Sequence, residues 1–182
     1  MGVSETEKSI ADALTANVAE RRNWDEPAQV YWIYLSKGRT RLAKLPAINA
    51  LLRLSRPAVV LATLAQAATD RRSELRRSIP AELCGVAFFS EAWTVQFDTP
   101  DEIDEAVRNR ETEPLSQHSR RVEQRGLFAV DRSGRHYVVT QVRGEDIQTK
   151  TEQAGGTEHE WSGSVLASLD RLLTAALGVE IG

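Results

Sequence analysis

The sequence predicts an α+β fold, a largely antiparallel sheet of about four strands packed with N- and C-terminal helices. Three observations carry this expectation. The first and last segments repeat apolar residues at helical spacing: Ile10, Leu14 and Val18 near the start, and Val165, Leu166, Leu169, Leu172, Leu173 and Leu177 near the end. Residues 122–131 and 136–143 read as a hairpin. They are joined by Asp131-Arg132-Ser133-Gly134, which suits a type I turn with glycine in the left-handed position. No regular alternation of strand and helix runs along the chain, which argues against a doubly wound parallel sheet.

The elements follow in order. Ser4 and Glu7 form a capping box that opens a helix over 4–21. Residues 28–36 (AQVYWIYLS) are aromatic and β-branched, as strands are, and apolar on both faces, which places that strand inside the sheet or under helices on both sides. Ser36-Lys37-Gly38-Arg39 is a turn signal. Residues 42–70 read as helical, with Pro46 opening a short helix through Leu54 and Ser55 capping a second that has Pro57 in its first turn. Residues 83–97 (LCGVAFFSEAWTVQF) form the clearest strand, with Phe89, Trp93, Val95 and Phe97 on one face and Val86, Phe88, Ala92 and Thr94 on the other. Thr99-Pro100-Asp101-Glu102 is a helix start. Residues 111–119 and 145–160 are polar and lack an apolar period, so they read as mobile loops. Ser162 precedes the last helix and Gly178 ends it.

With 182 residues the chain is expected to fold as one α+β domain over 1–182. Its 41% apolar and 27% charged residues are ordinary for a globular protein. A net charge of -3 gives no global basic field for nucleic acid, and a single cysteine excludes an internal disulfide framework. The N-terminus lacks the apolar core of a signal peptide and no window is apolar enough to span a membrane, so a cytoplasmic location is expected. No phosphate-binding loop, dinucleotide turn or nucleophile elbow is present in the sequence. Cys84, His118, His136 and His159 stand at no usual ligand spacing, so neither a metal nor a cofactor is expected.

Four groups of residues remain as candidates. Glu91 sits among core-type side chains, where a carboxylate is costly unless paired or protonated. It is therefore either a general acid or base with a raised pKa, or the ion partner of Arg125 or Arg143, or a side chain pointing out at a sheet edge. Trp24, Tyr31, Trp32 and Tyr34 form an aromatic group that either lines a binding groove or packs into the core, and Trp93 joins Trp24, Tyr31 and Trp32 as a binding candidate. Two arginine clusters (Arg71, Arg72, Arg76 and Arg77, then Arg120, Arg121 and Arg125) are read as solvated faces in preference to a nucleic-acid patch. Cys84 begins an apolar strand and reads as a buried, inert thiol.

Trp24-Asp25-Glu26-Pro27 followed by VYWIYL resembles the "GWDxPP-x-LYALV" opening of a group of actinobacterial proteins, and 85–93 (GVAFFSEAW) resembles their "GxAxxxEAW" strand. The hairpin ending in Val142-Arg143-Gly144 is similar to their final hairpin, although Ala28 stands where the group has a second proline. The resemblance implies a compact α+β fold. It implies no activity, and Glu91 matches a glutamate to which no role can be carried over. The excess of arginine over lysine fits the GC-rich coding of an actinobacterial source. By exclusion, the expected function is a non-enzymatic protein-binding or assembly subunit, whose partner is another protein or a second copy of the chain. A small hydrolase or transferase using Glu91 and a nucleic-acid-binding accessory or phage protein are the alternatives.

Overall fold

The computed structural model describes residues 4–45, 51–52, 55–95, 117–153 and 164–178. The elements are α1 (Glu5–Ala19), β1 (Gln29–Ser36), β2 (Arg39–Lys44), α2 (Pro57–Thr69), α3 (Glu74–Arg77), β3 (Leu83–Val95), β4 (Arg121–Asp131), β5 (Arg135–Val142), β6 (Gln148–Gln153) and α4 (Ser164–Leu177). The strands form one antiparallel sheet in the order β2-β1-β3-β4-β5-β6. The α+β class is as expected, but among the described residues the sheet has six strands, against the expected four or so.

Helices cover both faces of the sheet. On one, Ile10, Leu14 and Val18 of α1 pack on Tyr31, Ile33, Ala87, Phe89, Leu127 and Tyr137. On the other, α2 and α4 pack on Val30, Trp32, Val86, Phe88 and Val130. Alternating side chains of β1, β3 and β4 thus feed two apolar layers, which explains why these strands are apolar on both faces. Gly85 makes the close packing possible at the centre, because a Cβ there would lie 2.6 Å from the Val130 carbonyl oxygen.

The expected capping box of α1 is present: Ser4 Oγ accepts the Glu7 N–H at 3.2 Å and Glu7 Oε2 accepts the Ser4 N–H at 3.3 Å. The β4–β5 turn also forms as read, with Gly134 at φ 75°. The buried Asp131 carboxylate fixes it by accepting the N–H groups of Ser133 at 2.8 Å and Arg135 at 3.1 Å.

Three expectations are corrected. The turn over 36–39 forms, with Lys37 and Gly38 at positive φ, 51° and 71°, but it closes a two-residue hairpin, so residues 42–44 belong to the strand β2 and not to the helix expected over 42–70. Part of the polar 145–160 stretch forms the edge strand β6, paired with β5 from Thr140↔Gln148 to Arg135↔Gln153. The cap of α2 is Arg56, which makes no side-chain capping bond, and Pro57 opens the helix in place of a serine-capped start at Ser55. Residues 51–52 are helical, while the rest of the short helix expected over 46–54, the helix start at 99–102 and residues 111–116 and 154–163 lie outside the described residues.

Candidate functional site

The α1-covered face changes from apolar to polar where α1 ends. Register makes this change visible: Phe89 lies opposite Leu127, but the next residues on the same face pair as Glu91↔Arg125 and Trp93↔Glu123. Arg125 in turn lies opposite Gln141 of β5. The connection from α1 to β1 folds over these side chains and brings Arg21, Trp24 and Glu26 onto them. Asp25 adopts φ 67°, a left-handed conformation open to Asp at modest cost, and so turns the chain within this connection.

Arg21 is the hub on the α1 side. Its guanidinium lies 3.4 Å from the Phe89 ring centroid and donates to Glu26 Oε2 at 2.5 Å, Asn17 Oδ1 at 3.1 Å and the Tyr31 hydroxyl at 2.6 Å. The Tyr31 hydroxyl donates onward to Gln29 Oε1. Burial raises the Tyr31 pKa against the pull of Arg21, so the phenol stays a neutral donor.

Arg125, only 4% exposed, is the hub on the sheet side. It donates to Gln141 Oε1 from Nε at 2.8 Å and from Nη2 at 2.5 Å, and to the Arg21 carbonyl at 3.0 Å. Its guanidinium lies 4.9 Å from the Trp24 ring, and that of Arg143 lies 5.6 Å from the same ring. Trp24 is therefore held by two cations. Arg143 also pairs with Glu123 at 2.6 Å. Farther out, Arg121 lies 5.1 Å from the ring of Trp93, which is 46% exposed.

Glu91 sits between the hubs. One carboxylate oxygen accepts the Glu26 N–H at 3.0 Å; the other is buried and has no hydrogen-bond partner among the described residues. Burial pushes its pKa up, outweighing the pull of the Glu26 and Asp25 N–H groups and of the Arg125 charge, while Glu26 pushes the same way as burial. Arg125 is shifted down by burial, with Glu91 opposing. A direct ion contact between Glu91 and Arg125 or Arg143 was expected. Instead, Glu91 faces Arg125 across the strand pair and feels its charge, while its hydrogen bond goes to the connection and the two arginines serve Gln141, Arg21 and Glu123.

Of the aromatic candidates, Trp24, Tyr31 and Trp93 lie on this face or its rim. Trp32 does not: it is 2% exposed in the opposite core, with its Nε1 donating to Ser78 Oγ at 3.4 Å. Alternation along β1 explains the split, since Tyr31 and Trp32 are consecutive. His136 also lies on the opposite face, 3.0 Å from Asp170 of α4. Among the described residues, no three His, Cys, Asp or Glu side chains gather as a metal site. Cys84 is buried, donates to the Ile33 carbonyl at 3.3 Å and has its pKa pushed up to about 11 by burial.

The arginine clusters divide by role. Arg76 Nη1 reaches the carbonyls of Ala68 at 3.4 Å, Ala175 at 3.2 Å and Ala176 at 2.7 Å, so one guanidinium closes the C-terminal ends of α2 and α4 together. Arg125 is enclosed in the polar hub, and Arg71 and Arg72 are exposed. Sequence reasoning missed Arg21, Gln29 and Gln141. Of the three, only Gln29 carried a sequence signal, as an amide in an otherwise apolar strand on the face of Tyr31. No protein-family model, curated protein or solved structure matches the chain.

Proposed function

We propose that the chain is a non-enzymatic protein-binding subunit and that its partner meets the rim formed by Trp93, Arg121, Glu123, Arg143 and Trp24. The observation that carries this reading is the contrast between Trp93 and Glu91. Trp93 is a large aromatic side chain left 46% exposed beside an arginine, the pairing enriched where proteins bind one another. Glu91, two residues earlier on the same face, is occupied in holding the α1–β1 connection through the Glu26 N–H. Acid–base chemistry needs a proton-transfer group open to substrate and a second group placed to work with it. His136 is on the opposite face, tied to Asp170. The same two motifs, Trp24 to Pro27 and the segment 85–93 of β3, supply both the connection and the rim, which supports one surface with one role.

A photo-cross-linking phenylalanine analogue at position 93, in the full chain expressed in its source cells, tests the proposal. The expected result is a discrete covalent adduct with another protein or a second copy, absent when the analogue replaces the exposed Thr151 of β6. Adducts of equal yield at both positions, or none at position 93, overturn it. A chemical turnover abolished by Glu91→Gln in a folded variant would establish the hydrolase or transferase reading instead.

A further inference from the structure

The β1–β2 hairpin carries an unusual charge distribution. Residues 29–44 hold four basic side chains, Lys37, Arg39, Arg41 and Lys44, and no acidic one, in a chain whose net charge is -3. All four are exposed, and none takes part in an ion pair or side-chain hydrogen bond among the described residues. Three of them lie on β2, an outer strand of the sheet.

Among the described residues, β2 is paired along one edge only. Ser36↔Arg39 closes the two-residue turn, and Leu45 donates to the Val30 carbonyl at 2.9 Å. In an antiparallel ladder, residues alternate between bonding inward and facing outward. Residues 39, 41, 43 and 45 therefore bond β1, and Thr40, Leu42 and Lys44 turn their N–H and C=O groups to the open edge. The side chains of Thr40 and Leu42 lie on the α1 side, where Thr40 Oγ1 is 2.7 Å from Ser9 Oγ, so α1 covers that face, while among the described residues β2 has a strand neighbour only in β1.

We propose that β2 receives an extended acidic peptide segment of another protein as a seventh strand. This surface lies two strands from β3 and is independent of the rim around Trp93. Strand addition supplies the outward N–H and C=O groups with partners; acidic side chains on one face of the incoming strand meet Arg39 and Arg41, and apolar ones on the other face meet Thr40 and Leu42. The same row of cations repels a second copy of this edge, which is how basic edge strands avoid self-pairing. A nucleic acid would satisfy the charges but not the peptide ladder.

The probe is a fluorescein-labelled peptide alternating glutamate and valine, titrated into the full chain and read by anisotropy, with amide spectra of the protein recorded in parallel. Binding is expected, with the Thr40, Leu42 and Lys44 amides becoming protected from exchange. The triple change Arg39→Glu, Arg41→Glu and Lys44→Glu should weaken binding by about tenfold or more and create binding to the alternating lysine–valine peptide. The double change Arg39→Gln and Arg41→Gln provides a milder arm whose fold is checked by far-ultraviolet circular dichroism. A peptide N-methylated on the amides that face β2 should lose binding, and Trp93→Ala should leave it intact. Equal binding of the N-methylated peptide, no loss in the charge variants, protection elsewhere on the sheet, or tighter binding of a single-stranded oligonucleotide than of the peptide overturns the proposal.

Discussion

The Glu91 carboxylate accepts the backbone N–H of Glu26 at 3.0 Å across a sequence separation of 65 residues, joining the middle of β3 to the connection that follows α1. This bond turns a half-buried acid into a tether. It also explains why Glu91 is tolerated beside Phe89 and Leu127, since a polar group is less costly when bonded.

The tether needs an acceptor oxygen more than it needs a charge. Glu91→Gln keeps an oxygen for the Glu26 N–H and removes a charge that burial disfavours, so its unfolding free energy at pH 7 should stay within about 1 kcal/mol of the native value. Glu91→Ala removes the acceptor and should cost about 1–3 kcal/mol. The pH dependence has a definite sign. The folded pKa is raised above 4.5, so on acidification the native state binds this proton before the unfolded state does. Relative to Glu91→Gln, the native protein should gain stability as pH falls through the raised value, with the gain complete below 4.5. Denaturant midpoints of both proteins across that range, with the opposite trend, would contradict this.

Arg76 ends two helices with one side chain. Arg76→Ala leaves the terminal carbonyls of α2 and α4 without that donor and should cost about 1.5–3 kcal/mol, as for hydrogen bonds to a charged group. Arg71→Ala and Arg72→Ala alter exposed side chains and should stay within about 0.5 kcal/mol. Thermal or denaturant unfolding of the three variants separates these roles, and equal losses would refute the distinction.

Cys84 should resist thiol reagents. Its pKa of about 11 leaves little thiolate near neutrality, and the side chain is buried. Labelling by a disulfide reagent should be slow in the native protein and rapid after unfolding. Because the folded pKa lies above the ordinary 9, the native protein should lose stability relative to Cys84→Ala as pH rises from about 9 to about 11. Fast labelling at pH 7 without unfolding would contradict the burial argument.

The two tryptophans of the polar face, the exposed Trp93 and the half-buried Trp24, should respond differently. Trp93→Ala removes one ring contact with Arg121 and should cost about 1 kcal/mol or less, while abolishing the position-specific partner contact. Trp24→Ala removes the ring shared by Arg125 and Arg143 and should cost about 2 kcal/mol. Unfolding curves compare the two directly, and a larger loss for Trp93→Ala would reverse the assignment.

The parts of the fold that bury apolar side chains were legible in the sequence. Ile10, Leu14 and Val18 mark α1 by the period of one buried face, and the continuous apolar run from Leu83 marks β3, which is buried on both faces. The edge strands were not legible. β2 reads RTRLAK and β6 reads QTKTEQ, and such strands are held by a ladder to one neighbour, which demands little of their side chains. Glu91 stood out as a charge in an apolar run, and its strand-mate Arg125 was among the named candidates. Its actual hydrogen-bond donor, the Glu26 backbone, was invisible because every residue except proline has an N–H and only the folded connection selects one. Arg21 was equally hidden, since an arginine just past a helix end resembles an ordinary solvated charge.

Amide hydrogen exchange at Glu26 tests the tether most directly. The measurement follows this single N–H in the native protein, Glu91→Gln and Glu91→Ala at one pH. The account predicts protection in the first two and rapid exchange in Glu91→Ala, with the amides of the β3–β4 ladder still protected in all three. A Glu26 amide that exchanges freely in the native protein, or one that stays equally protected in Glu91→Ala, would contradict it.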